Sequence, residues 1–264
     1  MPELQLAMSN IAWDKSDDET MYGVLRDAGF TGLEIAPTRI FPEQPYDCLS
    51  SAALFGGYLK QVYGLSVPSL QSIWYGRGES IFDPEGAEAL LDYSAEAFQF
   101  AHILNCPSLV FGCPRNRALP VGRSAAEADE FFQKVGTLAA RYGVRFAVEP
   151  NAPEYTNFLN TTREVVDLVK RLDNPGLSVN LDLGALLTAG ERLRDFVDDL
   201  RYVSHIHISE PGLAPITRRP EHNELAMLLK AVGYRGFVSV EMRRPDEGLD
   251  AVRRTVDYIA EVFA

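Results

Sequence analysis

The stretch Val203-Ser204-His205-Ile206-His207-Ile208-Ser209-Glu210 decides how this chain is read. Side chains of a strand alternate between two faces, so His205 and His207 share one face while Ile206 and Ile208 share the other. Imidazoles on one side and aliphatics on the other suit a strand that packs outward on helices and turns its polar side to an enclosed centre. Three further strand-like runs end in a carboxylate: Arg145 to Glu149, Leu177 to Asp182 and Phe237 to Glu241. If Glu149, Asp182, His207 and Glu241 point inward, then so do Ala147, Ser178, Asn180, His205 and Ser239. The opposite parity collects Phe146, Val148, Val179, Leu181, Ile206, Ile208, Val238 and Val240, which are apolar throughout, as a helix-covered surface requires. One assignment satisfies all four strands.

Working outward, short apolar runs alternate with longer amphipathic ones. Leu4 to Asn10, Gly32 to Ala36, Val67 to Ile73 and Ser108 to Gly112 read as the four earlier strands. Helices are expected over Asp17 to Ala28, Cys48 to Tyr63, Pro84 to Leu104, Ala125 to Tyr142, Thr162 to Leu172, Leu193 to Leu200, Glu221 to Val232 and Leu249 to Phe263. Strands that alternate with helices pair in parallel through crossovers. With no composition break to mark a linker, eight such units imply an α/β fold built as a single (β/α)8 barrel over residues 1–264. A doubly wound open sheet is the competitor. The lack of a Gly-rich phosphate loop after the first strand counts against it, as do candidate ligands at four consecutive strand ends, which converge only if the sheet closes.

Composition narrows the function. The 264 residues carry a formal charge of −12, which argues against a nucleic-acid partner, since phosphate backbones are met by clustered Lys and Arg. Three cysteines, Cys48, Cys106 and Cys113, are an odd number without paired metal spacing and read as free thiols of a reducing compartment. Met1-Pro2-Glu3-Leu4-Gln5 does not open a signal peptide, and no apolar run approaches the roughly 18 residues of a membrane span. A cytoplasmic protein without a membrane partner is expected, and homo-oligomer formation is left open.

An acid at a strand end is often only the N-cap of the next helix or a surface ion-pair partner, and a lone inward histidine is often a satisfied core imidazole. Inward acids at the tops of adjacent strands are different, because buried unpaired carboxylates are costly and need a cation or a proton. Three acids and an imidazole with no Lys or Arg on those faces are most simply neutralised by a divalent metal. Oxygen ligands, one nitrogen and no sulfur suit Mn2+, Co2+, Mg2+ or Zn2+.

The runs Ala147-Val148-Glu149-Pro150, Asn180-Leu181-Asp182-Leu183-Gly184, His205 to Glu210 and Ser239-Val240-Glu241-Met242 resemble the xylose isomerase-like superfamily. More narrowly, they resemble its sugar phosphate isomerase/epimerase proteins, related to ketose 3-epimerases and inosose isomerases. Strand order extends the resemblance along the whole chain, with the specific motifs between residues 145 and 242. The resemblance implies a TIM barrel, metal ligation by Glu149, Asp182, His207 and Glu241, and catalysis by Glu149 and Glu241 as acid and base. The chain departs from the pattern at Ala185, where many relatives carry a substrate-contacting His, and at Leu213, where the epimerases tend to carry Arg; Glu210 is retained.

The implied activity is a metal-dependent isomerase or epimerase acting on a sugar, sugar phosphate or cyclitol through an enediolate. A lyase or dehydratase on the same scaffold and a non-catalytic sugar-binding relative are the alternatives. An apurinic-site endonuclease fits poorly, because that chemistry wants a histidine-rich zinc cluster and a basic surface, and this chain has four histidines. For the substrate, Glu34, Trp74, Glu210 and Arg243 are the expected contacts. Trp74 and Tyr75 would offer an apolar wall and Glu34 a hydroxyl partner. Arg218, Arg219, Arg243 and Arg244 follow the seventh and eighth strands, where barrels often hold phosphate, and Arg115 and Arg117 after the fourth strand are similar candidates. His205 is expected to support the site rather than ligate, His102 to be structural, and His222 to sit at a helix end.

Overall fold

The computed structural model describes residues 3–263; Met1, Pro2 and Ala264, which belong to the opening and the limits expected for the domain, lie outside the described residues. Eight strands form one parallel sheet: β1 (Gln5–Ser9), β2 (Gly32–Glu34), β3 (Ser69–Leu70), β4 (Ser108–Phe111), β5 (Arg145–Val148), β6 (Leu177–Asp182), β7 (Val203–Ile208) and β8 (Phe237–Val240). They follow the order β2-β1-β8-β7-β6-β5-β4-β3. The first and last members of that order meet through the bridges Gly32↔Ser66 and Ile35↔Leu70, so the ring nearly closes. Parallel strands joined by crossovers require helices on the outside. These are α1 (Asp18–Asp27), α2 (Pro37–Ile40), α3 (Leu49–Tyr58), α4 (Pro84–Ile103), α5 (Asp129–Arg141), α6 (Thr162–Leu172), α7 (Leu183–Thr188), α8 (Pro220–Val232) and α9 (Leu249–Phe263).

Local chemistry sets the boundaries. Pro84 opens α4 behind Asp83, whose carboxylate accepts from the Gly86 N–H at 2.8 Å. Thr161 and Glu164 form a capping box at α6. The helix expected over Cys48 to Tyr63 ends its α-helical part at Tyr58, and a π-helical turn continues it over Leu59–Tyr63 before Gly64 closes it with φ 73°. The one expected over Leu193 to Leu200 is 3-10 helix over Leu193–Tyr202.

The parity expected for β5 to β8 holds with one local exception. Val203 pairs with Val179 while His205 pairs with Asn180, so a bulge leaves Ser204 as the extra residue. Its hydroxyl meets those of Ser178 (2.7 Å) and Ser108 (3.2 Å), away from the carboxylate end. From His205 onward the alternation is regular. Outside the ring, Phe111 stacks on Phe146 with centroids 4.9 Å apart, and Phe98, Phe131 and Phe132 join them under α4 and α5. Among the described residues no helix is long and apolar enough to cross a membrane.

Candidate metal centre

Register brings the four predicted ligands together. Asp182 lies beside His207 in the β6–β7 ladder, and His207 lies beside Ser239 in the β7–β8 ladder. Glu149 and Glu241 are the first residues beyond β5 and β8. The imidazole Nδ1 of His207 is the focus, 2.8 Å from Glu149 Oε1, 3.2 Å from Glu241 Oε2 and 3.8 Å from Asp182 Oδ2. One ligand atom from each of the four lies within 4.8 Å of the others. Glu149, Asp182 and Glu241 line the floor of a cavity of about 380 Å³ at the mouth of the barrel, whereas His207 is buried behind them.

Asp182 and Glu149 are each held from behind. Asp182 is both the N-cap of α7 and a ligand candidate: Oδ1 accepts from the Ala185 N–H at 2.6 Å, while Oδ2 accepts from Ser209 Oγ at 2.6 Å. Ser209 Oγ in turn accepts from the Gly184 N–H. The Asn180 amide donates to Glu149 Oε1 at 2.5 Å. Arg117, fully buried, donates to the main-chain carbonyl of Glu149 at 2.7 Å and so anchors the loop beneath that carboxylate. Gly112 is needed for the approach of Glu149, since a Cβ there would come within 2.8 Å of Glu149 Oε2.

The electrostatics express the crowding of like charges. Burial, then the neighbouring Glu149, pushes the Asp182 carboxyl up to about 7. Burial also raises Glu241, with Glu149 and Glu34 adding to it against the pull of His207. For His207, burial opposes protonation, but Glu34, Glu241 and Glu149 outweigh it and lift the imidazole well above its ordinary range. A positive charge at this point is therefore strongly favoured. Carboxylate oxygens and one imidazole nitrogen, converging at the floor of an open cavity, fit a hard or borderline divalent cation.

The other expected contacts fall into three groups. Glu210 lines the mouth, but Arg219 Nε reaches both its oxygens at 2.8 Å and Thr217 donates to it through N–H and hydroxyl, so the loop after β7 uses the carboxylate internally. Arg243 is exposed and does not line the cavity. Trp74 is a correction: it is turned to the helix side, 4.8 Å from Phe111 and 5.9 Å from Phe131, with its indole N–H given to Ser94, because Phe111, Phe131 and Phe146 offer it an aromatic bed there. Glu34 is a second correction. Its side chain is fully buried inside the ring and bonds His205 and His207 rather than facing the mouth.

The arginines expected near a phosphate disperse as well. Arg218 pairs with Glu261, Arg219 with Glu210 and Arg244 with Asp14, while Arg117 is buried and Arg115 exposed. His102 ties α4 to the Tyr142 carbonyl, and His222 meets the Tyr258 hydroxyl. Sequence reasoning put Asn180 on the inward face without a role, and missed Ser69 and Ser209. The glycines after β4 and after Asp182 were the only signals that side chains approach the backbone closely there.

Comparison with known proteins agrees with the fold. Over 133 residues the chain is 26% identical to an uncharacterized protein of Methanocaldococcus jannaschii; the match spans 46% of this chain and 45% of that one, so the chain covers less than half the length of this relative. It superimposes on the apo form of 3-keto-D-glucoside 4-epimerase YcjR from E. coli with a TM-score of 0.79 and 18% identity, over 98% of this chain and 100% of the other. On D-psicose 3-epimerase from Clostridium cellulolyticum H10, solved with D-tagatose, the TM-score is 0.75 at 17% identity, covering 99% and 90%. The model of the xylose isomerase-like TIM barrel family matches residues 23–262, nearly the whole of the ring just described, and the chain belongs to that family.

Proposed function

We propose that this protein is a divalent-metal-dependent sugar isomerase or epimerase in which Glu149 and Glu241 exchange a proton with the carbon beside a substrate carbonyl. The observation that carries the reading is the convergence of Glu149, Asp182 and Glu241 on His207 Nδ1 at the floor of the mouth cavity. The folds of two sugar epimerases, one acting on 3-keto-D-glucosides and one named for D-psicose, support it. Glu149, Asp182, His207 and Glu241 would hold the cation. When bound, the cation supplies the positive charge that stabilises the negative charge developing on the substrate carbonyl oxygen. Glu149 and Glu241 approach from strands three places apart in the ring, so they address opposite faces of a substrate carbon. Removal of the proton by one and its return by the other inverts that carbon; relay of a proton between neighbouring carbons gives aldose–ketose isomerisation. Asn180 orients the Glu149 carboxylate, and Ser209 with the α7 N-terminus orients Asp182.

The lining of the cavity favours an uncharged sugar or cyclitol over a phosphorylated one. Among the described residues no Lys or Arg lines it, while Ile11, Val110, Ala185 and Leu213 form apolar parts of its wall. Three acids against one divalent cation leave a net negative site, which repels a phosphate dianion. The test is metal analysis of the purified protein followed by ¹H NMR in D2O with neutral and phosphorylated ketoses and with inososes. Deuterium incorporation beside the carbonyl of a neutral substrate, dependent on metal, is the expected result. Metal retained with no exchange in any substrate would instead make the chain a binding protein, and loss of water after exchange would make it a dehydratase.

A further inference from the structure

Behind the ligands, inside the ring, lies a second cluster of Glu34, His205, His207 and Ser69. Glu34 Oε2 accepts from His207 Nε2 at 2.9 Å, from His205 Nε2 at 2.8 Å and from Ser69 Oγ at 2.5 Å. Ser69 Oγ also lies 2.9 Å from His205 Nε2, so the hydroxyl and the second imidazole clamp the carboxylate. Glu34, His205 and His207 are each no more than 1% exposed. Three donors thus meet at this one oxygen, which marks it as their common acceptor.

This cluster is hydrogen-bonded and closed off: its three contacts to Glu34 Oε2 stand at 2.5 to 2.9 Å, and Glu34, His205 and His207 are buried behind the ligands. None of its members lines the mouth cavity. What it does is define the proton on His207. A carboxylate only accepts, so the proton between Glu34 and His207 sits on Nε2. At the other side of the ring, Asn180 Nδ2 is 3.1 Å from His207 Nδ1 and also donates to Glu149 Oε1, which fixes the amide with its nitrogen toward the imidazole. With a cation bound among the three acids, both sides suit an imidazole whose Nδ1 lone pair faces that cation.

We propose that Glu34 is a positioning residue that holds His207 as its Nε2–H tautomer, with ring and lone pair aimed at the cation site. This inference rests on the metal-dependent reading above. A carboxylate behind a ligating imidazole both orients the ring and makes its free nitrogen a stronger donor, and losing such a partner typically weakens metal binding about 10–100-fold.

The test uses the metal-stripped full chain and Zn2+, a diamagnetic ion of the right class. Calorimetric titration of wild type and Glu34→Gln is expected to show Zn2+ affinity falling by about 10–100-fold in the variant. Long-range ¹H–¹⁵N spectra of the histidine-labelled, Zn2+-loaded wild type are expected to show His207 protonated at Nε2, with that proton moving upfield in Glu34→Gln. A merely structural role would leave that resonance in place. An Nδ1–H tautomer in the loaded wild type, or an affinity in Glu34→Gln within twofold of wild type, overturns the role of Glu34 alone. If wild type binds no Zn2+, Mn2+, Co2+ or Mg2+, the metal-dependent reading falls and this inference with it. Should Glu34→Gln fail to fold, the wild-type tautomer decides.

Discussion

At the scale of single residues, Glu149 and Glu241 carry the proposed chemistry, and their neighbourhoods differ. Glu149 is tied by the Asn180 amide, while Glu241 sees no such donor among the described residues beyond His207. Replacing either by Gln keeps the shape and removes the base. Glu149→Gln and Glu241→Gln are each expected to lower turnover by about 10²–10⁴-fold or more, the range of general acid–base catalysis. Deuterium wash-in at the substrate carbon distinguishes loss of the base from loss of the metal, provided metal content is measured in the same samples. A variant that keeps both its metal and wild-type exchange would remove that glutamate from the mechanism. Parity within β7 announced the inward histidines, but nothing local marked Glu34 as their partner.

At the scale of elements, the β6–α7 junction shows how backbone geometry serves the site. Gly184 follows Asp182 by two residues, and a Cβ there would stand 2.7 Å from Ser209 Oγ and 2.9 Å from the Glu210 carbonyl carbon. Gly184→Ala is expected to push the end of β7 away and break the hold of Ser209 on Asp182. Overpacking of this kind costs about 1–3 kcal/mol, to be read by chemical denaturation, with a parallel loss of metal affinity. Unchanged values of both would mean that the loop yields freely. A second element contact gives a pH prediction. Asp199, in the segment Leu193–Tyr202, pairs with Arg163 at 2.9 Å and with Lys170, both on α6. Burial opposes its ionisation, but Lys170 and Arg163 prevail and hold its carboxyl below the ordinary 3.8. A depressed folded value gives stability that is present above the unfolded value and lost as pH falls toward the folded one. The advantage of wild type over Asp199→Asn, about 1 kcal/mol near neutrality, should thus be constant above pH ~5 and shrink below pH ~4. An advantage that grew on acidification would contradict the pairing.

For the whole molecule, closure of the ring is uneven. β6 and β7 pair along most of their length, whereas β3 is two residues long and meets β2 only through bridges. Local opening is drawn from regions with few ladder bonds. Native-state hydrogen exchange is expected to release the seam amides of Leu33, Ile35 and Gln71 before those of Leu181, Ile206 and Val238. The reverse order would locate the weak point elsewhere. The strand–helix alternation, the inward parity of four strands and the convergence of Glu149, Asp182, His207 and Glu241 were legible in the sequence alone, because period-two patterning and strand ends are local properties that a closed parallel ring converts directly into position. Tertiary structure alone decided that Glu34 reaches across the ring from β2 to β7, that Trp74 turns outward to Phe111, and that Arg219 occupies Glu210. These contacts join residues far apart in the chain, and they exist only once closure and helix packing have fixed which side chains share a space.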